Sequence, residues 1–73
     1  MSPSVGRPAV PRALLRTAAT RLAEAGVASP EYDAAELLAH VLGVLRSQLP
    51  LVEMVEPAQV AVFEELLTRR LSR

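Results

Sequence analysis

Asp33, Glu36 and His40 stand at i, i+3 and i+7 of one segment, so a helix would line three potential metal ligands or proton carriers along a single stripe. Asp33 and His40 are two turns apart, however, about 10 Å along a helix axis. A metal ion held at about 2.0–2.2 Å cannot reach all three from a straight helix, and the stripe reads as a solvated polar face. Nucleophilic catalysis is equally short of parts. The chain has no Cys and no Lys, and His40 is its only histidine. A Ser, Thr or carboxylate nucleophile would depend on that one imidazole as its base. Gly6, Gly26 and Gly43 are the only glycines and lie too far apart to build a phosphate-cradling loop, which excludes a Walker loop and a Rossmann fingerprint. No catalytic, cofactor-binding or metal-binding residue is expected in this chain.

Recognition remains. Glu31, Tyr32, Asp33, Glu36 and His40 form an acidic, partly aromatic patch in one segment. Tyr32 suits a half-buried ring with a wet hydroxyl better than a platform for stacking bases. Arg69, Arg70 and Arg73 cluster near the C-terminus, where cations complement the negative end of a helix. Arg70 projects at the border of an apolar arc beside Phe63 and Leu66, so its stem can cover apolar surface or reach a neighbouring domain. A helix-turn-helix contact with DNA is disfavoured, because Glu31, Asp33 and Glu36 would face the phosphates.

The 73 residues and 7.8 kDa allow one small domain. Eight arginines balance eight carboxylates at zero net charge, which excludes a strongly basic nucleic-acid module and an acidic tail. With no Cys, a disulfide framework and a thiolate metal site are also out. No apolar run approaches the roughly 20 residues that span a bilayer, and Met1–Pro11 lacks the apolar core of a secretory signal. The expectation is a cytoplasmic chain with neither membrane nor direct nucleic-acid contact.

Residues 1–11 are rich in Pro, Ser and Gly and are expected to be a disordered tail, with a helical bundle over 12–73. Pro11 suits a first helical turn. From Arg12 to Ala25, Leu14, Leu15, Ala18, Ala19, Leu22 and Ala25 fall on one arc, and Gly26 supplies a left-handed stop. Ser29-Pro30-Glu31 opens a second helix, with the Ser29 hydroxyl expected as its cap. It runs to Leu42 before Gly43, and Ala34, Leu37, Leu38, Val41 and Leu42 make its buried stripe. Leu45–Val55 is short and apolar. One or two helical turns near Arg46–Leu51, distorted at Pro50, fit it better than a strand without a partner. Glu56-Pro57 starts a last helix reaching about Ser72, which buries Val60, Phe63, Leu66, Leu67 and Leu71. Short connections make neighbours antiparallel, so the expected fold is all-α: a small up-and-down bundle of four to five short helices.

The run from Ser29 to Gly43 (SPEYDAAELLAHVLG) resembles the second-helix signature of the HemK/PrmC family, and Leu66-Leu67-Thr68-Arg69-Arg70 resembles the end of that family's N-terminal domain. The resemblance covers roughly Ala13 to Arg73. Ala35 stands where the family often has Glu, Leu45 where a Ser-type cap is common, and Pro50 interrupts the third helix. Members are S-adenosylmethionine-dependent methyltransferases that modify the glutamine of the Gly-Gly-Gln motif in peptide chain release factors. The resemblance therefore implies a substrate-recognition domain whose catalytic domain, with the cofactor, lies outside these residues. Alone the chain would not be an enzyme, whereas its parent protein would be. The implied partners are a release factor and the parent's own catalytic domain. Glu31, Tyr32, Asp33, Glu36, His40 and Arg70 are the docking candidates. The competing reading is a free-standing interaction or dimerisation module, whose exposed patch would be Leu45, Leu49, Leu51, Val52, Met54 and Val55.

Overall fold

The computed structural model describes residues 7–72 as three α-helices and one 3-10 helix. They are α1 (Pro11–Glu24), α2 (Pro30–Leu42), the 3-10 helix Arg46–Leu51 and α3 (Pro57–Leu71). Every α-helix opens on a proline at its first position, where a missing N–H leaves no intrahelical bond unmade. Helix α2 is the hub, packing against α1, α3 and the 3-10 helix. The result is the small all-α bundle expected from the apolar periodicity.

Helices α1 and α2 stop in the same way. Gly26 and Gly43 adopt φ of 87° and 70°, a region that L-residues with a Cβ avoid. At the first stop, Gly26 N–H donates to the Ala23 carbonyl and Val27 N–H to that of Leu22. At the second, Gly43 N–H donates to His40 and Val44 N–H to Ala39. Both are Schellman closures, each ended by a valine tucked against the core.

Helix starts differ more from expectation. The Ser29 hydroxyl makes no capping bond. With φ −128° and ψ 71°, Ser29 leaves the extended geometry seen at the other three starts and contributes only its carbonyl, which accepts from Asp33 N–H. The 3-10 helix and α3 instead share a device in which a glutamine reaches back one turn. Gln48 Oε1 accepts from Leu45 N–H at 2.8 Å, and Gln59 Oε1 accepts from Glu56 N–H at 3.1 Å. This is half of a capping box.

The core joins Leu14, Ala18 and Leu22 of α1 to Ala34, Leu38 and Ala39 of α2, and to Val60, Phe63 and Leu67 of α3. Leu49 and Val55 close it from the connecting segment. Ala18 and Ala34 are fully buried, and their small side chains let α1 and α2 approach closely. Leu15, Ala19, Leu37, Val41, Leu42, Leu66 and Leu71, expected inside, are only partly covered, and Ala25 is exposed at the α1 stop.

Of the tail expected over 1–11, residues 1–6 lie outside the described residues, and Ala9 and Pro11 belong to the fold. Ala9 and Val55 exchange both backbone bonds in an isolated antiparallel bridge, at 3.0 and 2.8 Å, and Pro11 is buried. The segment after Pro50 thus does have a strand-like partner, supplied from ahead of α1. Among the expected patch residues, Leu49 and Val55 are buried and Val52 is half-buried. Leu45, Leu51 and Met54 stay 68%, 80% and 49% exposed.

Candidate functional site

On the outer face of α2, Tyr32, Glu36 and His40 follow one another at intervals of four residues and form a single row. The Schellman closure at Gly43 turns the chain back beside this row, and the 3-10 helix brings Arg46 onto it. Arg46 Nε–H donates to Glu36 Oε2 at 3.0 Å. Its guanidinium carbon also lies 4.3 Å from the centroid of the Tyr32 ring. One arginine therefore holds an aromatic ring and a carboxylate one turn apart, a geometry that suits its planar, weakly hydrated cation. Tyr32 keeps half of its surface exposed. Beside this cluster, α2 and the 3-10 helix enclose a shallow hollow of about 540 Å³ lined by Glu36, His40, Val44, Leu45, Arg46 and Ser47.

Asp33 lies next to this row and points toward α3. Its Oδ2 accepts from Arg70 Nη2, joining the start of α2 to the last turn of α3. The Arg70 stem thus reaches a neighbouring helix of its own bundle. Glu31 stands apart from both groups. It lines a groove along α1 with Arg12, Arg16 and Glu24. The six docking candidates therefore divide into three places: Tyr32, Glu36 and His40 on the row, Asp33 with Arg70 at the α2–α3 seam, and Glu31 at the α1 groove.

Both carboxylates of the Asp33, Glu36 and His40 stripe accept from guanidinium groups. Among the described residues, no three His, Cys, Asp or Glu side chains gather as they would around a metal ion, and no polar or charged side chain is buried. What the face offers is hydrogen bonding, a stacked cation and a partly apolar rim. Arg46 is the member that sequence reasoning missed. Its signal was the glycine stop at Gly43, which returns the next residues along the helix just completed. No helix of the described residues is long and apolar enough to cross a membrane.

Comparison with known proteins decides the family. A family model, the PrmC N-terminal domain, matches residues 13–73. The chain belongs to the PrmC N-terminal domain family. It is also 44% identical over 62 residues to a release factor glutamine methyltransferase of Mycolicibacterium smegmatis (strain ATCC 700084 / mc(2)155), a match covering 85% of this chain. The chain spans 22% of that relative's length. No solved structure matches it significantly. As a PrmC N-terminal domain, the chain carries within the matched residues α2, the 3-10 helix and α3, and with them the whole Tyr32–Glu36–Arg46 cluster and the Asp33–Arg70 pair. Ala9, which holds Val55 in the bridge, precedes the matched span.

Proposed function

We propose that this chain is the substrate-recognition domain of an S-adenosylmethionine-dependent protein-glutamine methyltransferase. In this reading it docks a peptide chain release factor, in the cytoplasm, so that the glutamine of the factor's Gly-Gly-Gln motif reaches a separate catalytic domain. The observation that carries it is the 44% identity, over most of this chain, to a much longer release factor glutamine methyltransferase. The domain's own chemistry supports a positioning role, since orienting a protein substrate needs a rigid frame and complementary contacts but no reactive group.

The cofactor does not fit these residues. Gly26 and Gly43 are each committed to ending a helix, and neither has a glycine neighbour with which to line a nucleoside loop. S-adenosylmethionine therefore belongs with the parent's catalytic domain, and this chain contributes no bond-making step. The docking face is the outer row of α2 with Arg46. Tyr32 supplies an aromatic contact, Glu36 and His40 supply polar ones, and Leu45 provides an exposed apolar rim.

Titrating the 15N-labelled chain with a purified peptide chain release factor tests the reading. Amide shifts should concentrate at Tyr32, Glu36, His40, Leu45 and Arg46. Absence of any shift at roughly millimolar protein, a range in which even weak docking registers, would sink it. Shifts restricted to α1 would leave the recognition role and remove this face from it.

A further inference from the structure

A groove runs along α1 and is closed at one end by Glu31 of α2. It measures about 610 Å³. Its floor is the row Leu15, Ala19 and Ala23, spaced by four residues, with Leu15 and Ala19 only partly covered and Ala23 exposed. Its ends carry charge sorted by sign. Arg12 and Arg16 flank the N-terminal end, and Glu24 with Glu31 of α2 flank the C-terminal end.

These charges stand out among those carried on the helices; outside the helices Arg7, Glu53 and Glu56 likewise take no part in the ion pairs of the described residues. Among the described residues, Arg21, Arg46, Arg69 and Arg70 are each ion-paired, as are Asp33, Glu36, Glu64 and Glu65. Arg12, Arg16, Glu24 and Glu31 take no part in any of those pairs. The fold satisfies its other helix-surface charges internally and leaves two cations and two anions at opposite ends of one apolar groove.

We propose that a second copy of this chain occupies the groove through an antiparallel α1–α1 contact. A surface that is positive at one end and negative at the other complements itself under a twofold rotation. With the axis beside Ala19, Leu15 of each copy meets Ala23 of the other, a large side chain against a small one. Arg12 and Arg16 then face the Glu24 and Glu31 end of the other copy. The spacing fits, because Arg12 to Glu24 spans about 18 Å of helix. A parallel pairing would bring like charges together. One helix face buries less than the roughly 800 Å² per partner of a standard stable interface, so the contact is weak, with a dissociation constant on the order of 100 μM. It is independent of the release-factor reading, whose face lies on α2 and the 3-10 helix.

Sedimentation equilibrium between roughly 10 μM and 1 mM chain should detect a monomer–dimer equilibrium at low salt, weakened about tenfold in high salt as the end charges are screened. The charge swap provides the decisive arm. Arg12→Glu with Arg16→Glu makes both groove ends negative, and Glu24→Arg with Glu31→Arg makes both positive. Each double variant alone should self-associate at least about tenfold more weakly, and an equimolar mixture should recover association. All four positions are exposed, and circular dichroism reports whether helicity is kept. A wild-type chain that stays monomeric throughout overturns the proposal. So does association that ignores both swaps, which would move the contact to Leu51 and Met54. Shifts along α1 on adding a release factor to a monomeric chain would give the groove to that partner instead and equally overturn it.

Discussion

The two sides of α2 are held by different physics. Toward α1, Ala34 and Leu38 are fully buried against a helix that contributes Ala18 and Leu22, with no polar group buried between them. Toward the 3-10 helix and the end of α3, Asp33 and Glu36 are gripped by arginines that remain about half exposed. Close packing of small and branched side chains punishes any change of volume. Exposed ion pairs are worth roughly 0–1 kcal/mol each and rearrange at little cost. One short helix therefore carries stability on its inner side and an adaptable, ion-paired surface on its outer side.

Four substitutions would break or sharpen that contrast, and urea titrations of the chain measure them all. Leu38→Ala should cost about 2–5 kcal/mol, the transfer term plus the cavity left in the core. In a domain this small such a loss approaches the total stability, and the variant should be largely unfolded at 37 °C. Ala34→Leu should cost about 1–3 kcal/mol by forcing α1 and α2 apart. Gly43→Ala should cost about 1–2 kcal/mol. No atom lies within 4 Å of an added Cβ, so the whole penalty is the left-handed backbone. Arg46→Ala should cost less than about 1 kcal/mol, since both its ion pair and its ring contact are exposed. On the proposed release-factor reading, its larger effect should fall on docking, read as a raised KM with an unchanged kcat for methylation by the proposed parent enzyme. If Arg46→Ala destabilised the chain as much as Leu38→Ala, the division between the two sides would be wrong.

The three α-helices were legible because local chemistry and periodicity agreed. Prolines at 11, 30 and 57 mark the starts, glycines at 26 and 43 mark two stops, and apolar residues recur at helical spacing between them. The segment around Pro50 was legible as distorted helix, and the 3-10 form accommodates it. Features that join distant positions were hidden. Nothing in the Pro-rich start announces that Ala9 pairs with Val55, because a two-residue bridge has no period. Gln48 and Gln59 each stand three residues after a helix start, a local signal that was there to be read. For the site, the α2 row followed from spacing alone, but the partners did not. Arg70 meets Asp33 only after the bundle has closed, 37 residues away in sequence, whereas Arg46 meets Glu36 across the local turn at Gly43, 10 residues away.

The Ala9–Val55 bridge also sets an order of events. Most of the packing in this molecule joins neighbouring helices, which form local hairpins on fast timescales. The bridge waits for the connecting segment to settle against the core before its two ends can meet, and loop closure over that separation is slow to reward. It should therefore be fastened last and released first. Amide hydrogens at Ala9 and Val55 should accordingly exchange with solvent through opening of the bridge alone, while those of Leu22 and Leu38 exchange only when the bundle as a whole comes apart.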